Sequence, residues 1–447
     1  MKPSLLRRAY WNGYTLWHVR REASLPFRPL AEIIAAQNRR VRAIVLHAYQ
    51  TVPYYREVID ELGLTPRDFR GGDDLARLPV LTGRQLALEP DRFLSRRFAK
   101  EGGLQIHSSG TSGYSKRISY DAGALFLALA HGHRQRRVLA RFVGRRFGYR
   151  EMSFVRPESV SIQIRRFYES HSWAPKRIDL KRGFGSPGDS FEDNVARLNA
   201  LQPDVLRGYG SHLGALFRQA AERGLSIHRP RAITYGADRM AAADRHLIET
   251  EFGIPVLSTY QAAEALRIGF QCESRGAFHL NLDDVAIRIV DDSGNPVKPG
   301  ERGALIVSNL TNRATVMLNY RLGDVVTQSA TPCGCKRTLP TIEAIDGRAD
   351  DFVILPGGRR IHGLVVLAPL LRVPGVIQVQ LIQEDLQRYL LRVVCAASVD
   401  WPTVFRDLHA ACGTTLGDGF ALEIARGDTI PPEPNGKFRS VISRVSQ

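Results

Sequence analysis

Between residues 104 and 252, short apolar runs alternate with amphipathic segments at helical spacing, and a chain patterned that way is largely confined to a parallel sheet covered by helices. Strands are expected at 104–107, 159–165, 204–206 and 232–235, and helices at 122–139, 191–201, 213–223 and 241–252. Ahead of this block, apolar residues recur at helical spacing from 30 to 64, with Ile33, Ile34, Val41, Ile44, Val45 and Ala48 on one side and Pro53 as a break. Residues 85–105 read as a helix and connector leading into the first strand. Beyond Glu264 the pattern changes to short strands and turns, at 285–290, 303–308 and 315–320, with a turn over 291–296. A second change begins at Asp350, where strands at 376–382 and 390–396 and a helix at 402–412 suit a small α+β domain. The fold class expected is α/β: a large N-terminal domain over 1–349, with parallel sheets, helices and a β-rich subdomain, and a small α+β C-terminal domain over 350–447.

Residues 108–116 read Ser-Ser-Gly-Thr-Ser-Gly-Tyr-Ser-Lys, a hydroxyl- and glycine-rich stretch closed by a cation. Gly110 and Gly113 let backbone N–H groups turn inward, Ser108, Ser109, Thr111 and Ser112 add donors, and Lys116 adds charge, a composition suited to wrapping a polyphosphate. The P-loop pattern is not met, because Gly113 is followed by Tyr-Ser-Lys-Arg, which disfavours an ordinary nucleotide-hydrolase fold. A flexible Ser/Gly linker would share the composition. Four later segments separate the two readings: Tyr260-Gln261-Ala262-Ala263-Glu264, Tyr320-Arg321-Leu322-Gly323-Asp324, Gly347-Arg348-Ala349-Asp350-Asp351 and Asn435-Gly436-Lys437-Phe438-Arg439.

In that order and at those intervals, from about residue 50 to the end, the chain resembles the adenylate-forming superfamily that includes acyl- and aryl-coenzyme A ligases and peptide-synthetase adenylation domains. Val52-Pro53-Tyr54-Tyr55-Arg56, Leu78-Pro79-Val80-Leu81, Gly236-Ala237-Asp238 and the paired Cys333 and Cys335 look most like the phenylacetate-coenzyme A ligase subgroup and its relatives in capsule and secondary-metabolite gene clusters. The resemblance implies a two-step reaction. A carboxylate attacks the α-phosphate of ATP to give an acyl-adenylate and pyrophosphate, and a thiol or amine then displaces AMP. Bringing an anion onto a polyanion makes charge neutralisation and positioning the main catalytic tasks.

By the same resemblance, Lys116 steadies the leaving pyrophosphate, Glu264 holds Mg²⁺ against the phosphates and Tyr260 stacks near the adenine. Gly236, Ala237 and Asp238 frame the adenine, although Asp238 reads equally well as a helix cap in a strand-to-helix turn. Asp324 accepts from the ribose hydroxyls and Arg348 reinforces ribose or phosphate. Asp350 stands at the hinge that makes the C-terminal domain mobile, and Lys437 reaches the α-phosphate and carboxylate during adenylation. Ser112 and Ser115 are mild departures from the superfamily pattern; Gln261 in place of glycine and Ala263 in place of a hydroxyl residue bear on acyl specificity and activity. The partners implied are a small carboxylic acid and an acceptor: coenzyme A, a carrier-protein thiol or an amine. Acid-pocket residues are expected within 130–165, 206–212 and 258–266. His107, His131 and His133 read as helix-surface residues near the cleft.

Cys272, His279, Cys333 and Cys335 form a Cys-x6-His and Cys-x-Cys set, a chemically apt tetrahedral group for structural Zn²⁺, with ordinary buried thiols as the alternative. Five cysteines in 447 residues do not make a disulfide framework, and no apolar run approaches the roughly 18 residues of a bilayer span. The first eight residues lack a continuous apolar stretch, so a cytoplasmic location is expected. The net charge of +17 raises a competing class, a non-catalytic basic protein of the same fold binding nucleotide or nucleic acid. Yet the charge is mostly dispersed, and its local concentrations at 134–137, 141–150 and 165–166 would equally attract ATP, coenzyme A or an acidic carrier. No zinc-finger spacing, RNP-like aromatic motif or basic zipper supports nucleic acid. A Ser-His-Asp hydrolase is disfavoured too, because Gly208-Tyr209-Gly210-Ser211 does not complete a nucleophile elbow.

Overall fold

The alternating segments form the parallel half of an eleven-stranded sheet. A computed structural model describes residues 4–98, 103–107, 116–173, 182–348, 352–396, 398–417, 419–431 and 438–445. Within it, Arg182–Gly185, Glu151–Phe154, Val205–Tyr209, Ala232–Gly236 and Val256–Tyr260 run side by side in parallel. The sheet continues without a break into an antiparallel half: Gly269–Gln271, Phe278–Leu280, Thr341–Arg348, Tyr320–Gln328, Arg302–Asn309 and Val285–Val290. The change of direction falls at Val256–Tyr260, whose C-terminal end carries the segment that reaches Glu264. Parallel strands share one C-terminal edge, which is where an open α/β sheet offers a ligand crevice.

Three expectations need correction. Residues 159–165 are not a strand but the start of the helix Val160–His171. Over six residues the alternation Ser-Val-Ser-Ile-Gln-Ile mimics a strand. Over the full segment Val160, Ile164, Phe167 and Tyr168 recur at helical spacing, and that stripe packs on the main core. Residues 104–107 do form a strand, Gly103–His107, but it pairs antiparallel with Arg117–Asp121 in a separate ribbon, and it is the second of these strands that leads into the helix Ala122–Val143. Asp121 then caps the helix Ala122–Val143 by accepting from Ala124 N at 2.9 Å, and Gly144, at φ +82°, ends it. Residues 315–320 are a buried connection, turned at Asn319 (φ +53°) into the strand Tyr320–Gln328.

A separate core lies in the C-terminal part, where Ala421–Arg426, Arg388–Cys395, Val376–Gln383 and Val441–Ser443 form a four-stranded sheet in that order. The helices Gly363–Leu370 and Trp401–Leu416 supply Val366, Leu367, Leu370, Val404, Leu408 and Cys412 to its core. This is the α+β pattern read from the sequence. Across the two parts, Arg218 Nη1 donates to Asp428 O at 2.9 Å.

The helix Leu5–Ser24 was not anticipated. It lies on Ala122–Val143, with Trp11 stacked on Phe126 at 4.8 Å. At its end Glu22, fully buried, meets a charged cluster. His131 Nε2 is 3.0 Å from Glu22 Oε2, and Nδ1 contacts Asp284. Arg134 Nη2 is 2.9 Å from Glu22 and 2.7 Å from Asp283, and Arg40 Nη1 is 2.9 Å from Asp284. A guanidinium nitrogen thus sits between the carboxylates that could otherwise share a cation. His131 is 2% exposed, not on the surface as expected. Burial opposes its charge, but Asp284 and Glu22 outweigh burial and raise its pKa; the partners hold Glu22 and Asp284 low.

The signs predict a pH optimum for stability. A raised imidazole pKa gives stabilisation that is complete below about 6.5 and is lost as pH rises through the folded value. The depressed carboxylates give stabilisation that is lost as pH falls below about 4.5. Melting temperature is therefore expected to peak near pH 5–6.5. His131→Gln should flatten the alkaline limb in a melting series from pH 5 to 9; an unchanged limb would remove His131 as its origin.

Candidate active site

Lys116 immediately precedes the strand Arg117–Asp121, and Glu264 ends the loop that leaves Val256–Tyr260. That loop is fixed from two sides: Tyr120 Oη donates to Ala263 O at 2.7 Å, and Asn309 Nδ2 donates to Glu264 O at 3.0 Å. The result is a buried ion pair, Lys116 Nζ to Glu264 Oε1 at 2.6 Å, with the two residues 5% and 7% exposed. Tyr320 bridges it, accepting from Lys116 at 3.1 Å and donating to Glu264 at 3.3 Å. Four residues further along the same strand, past an irregularity with Gly323 at φ +88°, is Asp324, whose Oδ2 accepts from Tyr260 Oη at 2.6 Å. Lys116, Tyr260, Glu264, Tyr320 and Asp324, spread over more than 200 residues of sequence, thus form two hydrogen-bonded groups, Lys116–Tyr320–Glu264 and Tyr260–Asp324, that both join segment 260–264 to segment 320–324. The strand register sets Arg348 opposite Asp324; its side chain is outside the described set. Ser108, Ser109, Gly110, Thr111, Ser112, Gly113, Asp350 and Lys437 also lie outside the described residues.

Gly236, Ala237 and Asp238 follow the neighbouring strand Ala232–Gly236, with Ala237 in the left-handed region at φ +70°. A Cβ on Gly236 would come within 2.8 Å of Thr259 Oγ1, so only glycine allows this approach of the two strand ends. Asp238 Oδ1 accepts from Gly210 N at 2.5 Å and Ser211 N at 3.4 Å, and Oδ2 accepts from Ser211 Oγ. The carboxylate therefore caps the helix Gly210–Glu222, which is not the helix that follows it in sequence. It also accepts from the backbone N–H of Phe438, next to Lys437. Burial nevertheless pushes its pKa up to about 7.

The Cys/His set closes through strand pairing. His279 stands on Phe278–Leu280 opposite Thr341, and the loop just before Thr341–Arg348 brings Cys333 and Cys335 beside Cys272. Cys272 Sγ is 3.6 Å from Cys333 Sγ, Cys335 Sγ is 3.4 Å from His279 Nε2, and all four donor atoms lie within 4.8 Å of one another. A tetrahedron with metal–sulfur bonds of about 2.3 Å and metal–nitrogen bonds of about 2.0 Å has edges of ~3.8 Å and ~3.5 Å. The observed edges fit. Burial and Arg337 hold the His279 pKa at about 4, which keeps the imidazole neutral, the form that ligates. Arg337 N donates to Cys335 Sγ at 3.5 Å, and its guanidinium pairs with Glu273 at 2.6 Å.

Two site features escaped the sequence reading. Tyr320 was visible only as the first residue of a motif, with no role until its hydroxyl is seen between Lys116 and Glu264. Arg267, three residues beyond Glu264, belongs to no motif, yet it lines a cavity with Gln135, Thr259 and Gln261.

Residues 353–444 match the family described as CapK C-terminal domain. The chain is 27% identical over 367 residues to a phenylacetate-coenzyme A ligase of Thermus thermophilus, covering 78% of this chain and 77% of that protein. It is 21% identical over 429 residues to Protein CapK of Staphylococcus aureus, covering 94% and 91%. Among solved structures, a 2-hydroxyisobutyryl-CoA ligase in the postadenylation state, in complex with R3-HIB-AMP, superposes with a TM-score of 0.73 at 20% identity, covering 95% and 91%. The same ligase in its thioesterification state superposes at 0.60.

Proposed function

We propose that this chain, a ligase of the adenylate-forming superfamily and its phenylacetate-coenzyme A ligase-like subgroup, activates an aryl or other organic carboxylic acid with ATP and passes the acyl group to coenzyme A or another thiol or amine acceptor. The observation that carries this reading is that Lys116, Glu264, Tyr320, Tyr260 and Asp324 are joined by an ion pair and hydrogen bonds where the loop leaving Val256–Tyr260 meets the strand Tyr320–Gln328.

The chemistry asked of these residues follows from their charges. Lys116 and Glu264 neutralise each other in a desolvated pair, and separating them without replacement would strand two buried charges. A polyphosphate with its cation offers each a new partner. The phosphates take Lys116, and Glu264, a hard carboxylate donor, suits Mg²⁺ alongside phosphate oxygens. Bound there, Mg²⁺ would supply charge neutralisation at the phosphates. Tyr320 keeps a hydroxyl beside either arrangement, and Asp324, oriented by Tyr260, presents an acceptor-only carboxylate to ribose hydroxyls. Lys437 is assigned the α-phosphate and the entering carboxylate, and its neighbour Phe438 is held at Asp238 within this same region. Gln261 and Ala263 replace a glycine and a hydroxyl residue of the superfamily pattern and bear on which acid is taken. Cys272, His279, Cys333 and Cys335 are assigned to one structural Zn²⁺. No helix among the described residues is long and apolar enough to cross a membrane.

Pyrophosphate exchange with a panel of carboxylic acids tests the reading. Acid-dependent exchange is expected, and Lys437→Ala should lower it by about 10²–10³-fold. Transfer from a supplied acyl-adenylate to coenzyme A should survive that substitution. Silence across a broad panel would favour the non-catalytic basic protein instead.

A further inference from the structure

The helix Leu5–Ser24 packs one side and leaves the other in water. Trp11, Thr15, His18 and Glu22 recur at helical spacing and are buried. On the opposite side Leu6, Tyr10, Gly13 and Trp17 recur in the same way, with Leu5 and Leu16 beside them. Leu5, Leu6, Tyr10, Leu16 and Trp17 are all between 59% and 84% exposed. Single exposed apolar residues are ordinary, but five large ones grouped on one helix face mark a place where something binds.

The helix is also basic at both ends. Arg7 and Arg8 stand in its first turn and Arg20 and Arg21 in its last, while its one acid, Glu22, is the buried partner of Arg134. The Arg21 guanidinium lies over the Trp17 ring at 5.6 Å. Just past the helix, Phe27 is exposed beneath Arg137, whose guanidinium is 5.0 Å from the ring. Burial, then the charges of Arg146, Arg337 and Arg141, lower the Arg137 pKa, and of that group Arg337 is paired with Glu273. The apolar face therefore runs on into a second basic cluster.

Charge separates the occupants that could cover this face. In a two-fold contact with a second copy the patch would meet itself, setting Arg7, Arg20 and Arg21 against their own copies with no exposed acid on the helix to answer them. The outer side of a single helix is convex and offers no groove for a peptide. An anionic bilayer surface answers both features: leucines enter the acyl boundary, Trp17 and Tyr10 sit at headgroup level, and the arginines reach lipid phosphates. Its 20 residues would lie about 30 Å along such a surface. We propose that the helix Leu5–Ser24 seats this chain on an anionic membrane surface, lying in the interface plane. No residue of this face belongs to the Lys116–Tyr320–Glu264 or Tyr260–Asp324 groups, so the proposal stands apart from the ligase reading.

Co-sedimentation with vesicles of phosphatidylcholine alone, and of phosphatidylcholine with phosphatidylglycerol, tests it. The wild-type chain is expected to partition at least about tenfold more strongly onto the phosphatidylglycerol vesicles, and to loosen as salt rises. A net charge of +17 would itself draw the chain to anionic lipid, so the deciding variant keeps every arginine. Leu6→Gln/Trp17→Gln should weaken partitioning by at least about tenfold, and Arg20→Gln/Arg21→Gln should narrow the preference for phosphatidylglycerol. Both variants should melt close to the wild type, because the replaced side chains face water. Absence of partitioning onto either vesicle overturns the proposal. So does partitioning that survives Leu6→Gln/Trp17→Gln, which would assign it to overall charge, and so does a marked fall in that variant's melting temperature, which would assign the side chains to the fold. A dimer seen by light scattering and dissolved by the same variant would give the face to a second copy and overturn the proposal too.

Discussion

Glu264→Gln is expected to lower acid-dependent pyrophosphate exchange by about 10²–10³-fold, the scale of losing one charge-stabilising group from a desolvated site. Glutamine preserves the volume and can still accept from Tyr320, so the lost quantity is charge. Without it the carboxylate donor for a divalent cation is gone, and Lys116, 5% exposed, loses its counter-ion. Breaking a buried pair from one side costs about 3–5 kcal/mol, so the melting temperature should fall as well. The double variant Lys116→Met/Glu264→Gln separates the two effects. It should recover stability, because no bare charge is left, and should remain inactive. If Glu264→Gln kept full exchange, the cation role would be wrong; if the double variant were no more stable than the single, the ion pair would not be the source of the loss.

The zinc site proposed at Cys272, His279, Cys333 and Cys335 carries the second large expectation. Elemental analysis of the wild-type chain should find about one zinc per molecule, and Cys333→Ser/Cys335→Ser should reduce this to about none, since two of four ligands are removed. Structural zinc couples directly to folding, so the double variant and the chelator-treated wild type should both melt several degrees lower. The antiparallel half of the sheet is the region affected: the cluster joins the Gly269–Gln271 and Phe278–Leu280 hairpin to the loop before Thr341–Arg348. Hydrogen exchange should quicken there and leave the parallel strands protected. Equal zinc in both proteins would remove the proposed ligands.

The legible parts of the fold were those dictated by local periodicity. The helix Phe191–Leu201 and the strands at 232–236, 376–383 and 388–395 follow from residues that pack on their own element's face. The six-residue alternation at 159–165 misled because its resolution depends on Phe167 and Tyr168, beyond the window. Helix Leu5–Ser24 and strand Thr341–Arg348 owe their places to distant partners, Ala122–Val143 in one case and the His279 strand in the other. The site divides the same way. Glu264 and Asp324 could be named as candidates because they stand in recurrent motifs, and each contacts another candidate, Lys116 and Tyr260. His131 was misplaced because its burial is made tolerable by Glu22, Asp283 and Asp284, more than 100 residues away on either side. Arg267 has no local signature at all, since the lining it shares with Gln135, Thr259 and Gln261 exists only once the chain is folded.

Asp238 bears on how the two parts of the chain communicate. Its carboxylate is shared between the start of the helix Gly210–Glu222 and the backbone of Phe438, beside Lys437. Any swing of the C-terminal part that withdraws Phe438 removes one donor from a carboxylate whose pKa already stands at about 7. With fewer donors the group binds a proton more readily. The carboxylate therefore ties the seating of Phe438 to the first turn of the helix Gly210–Glu222.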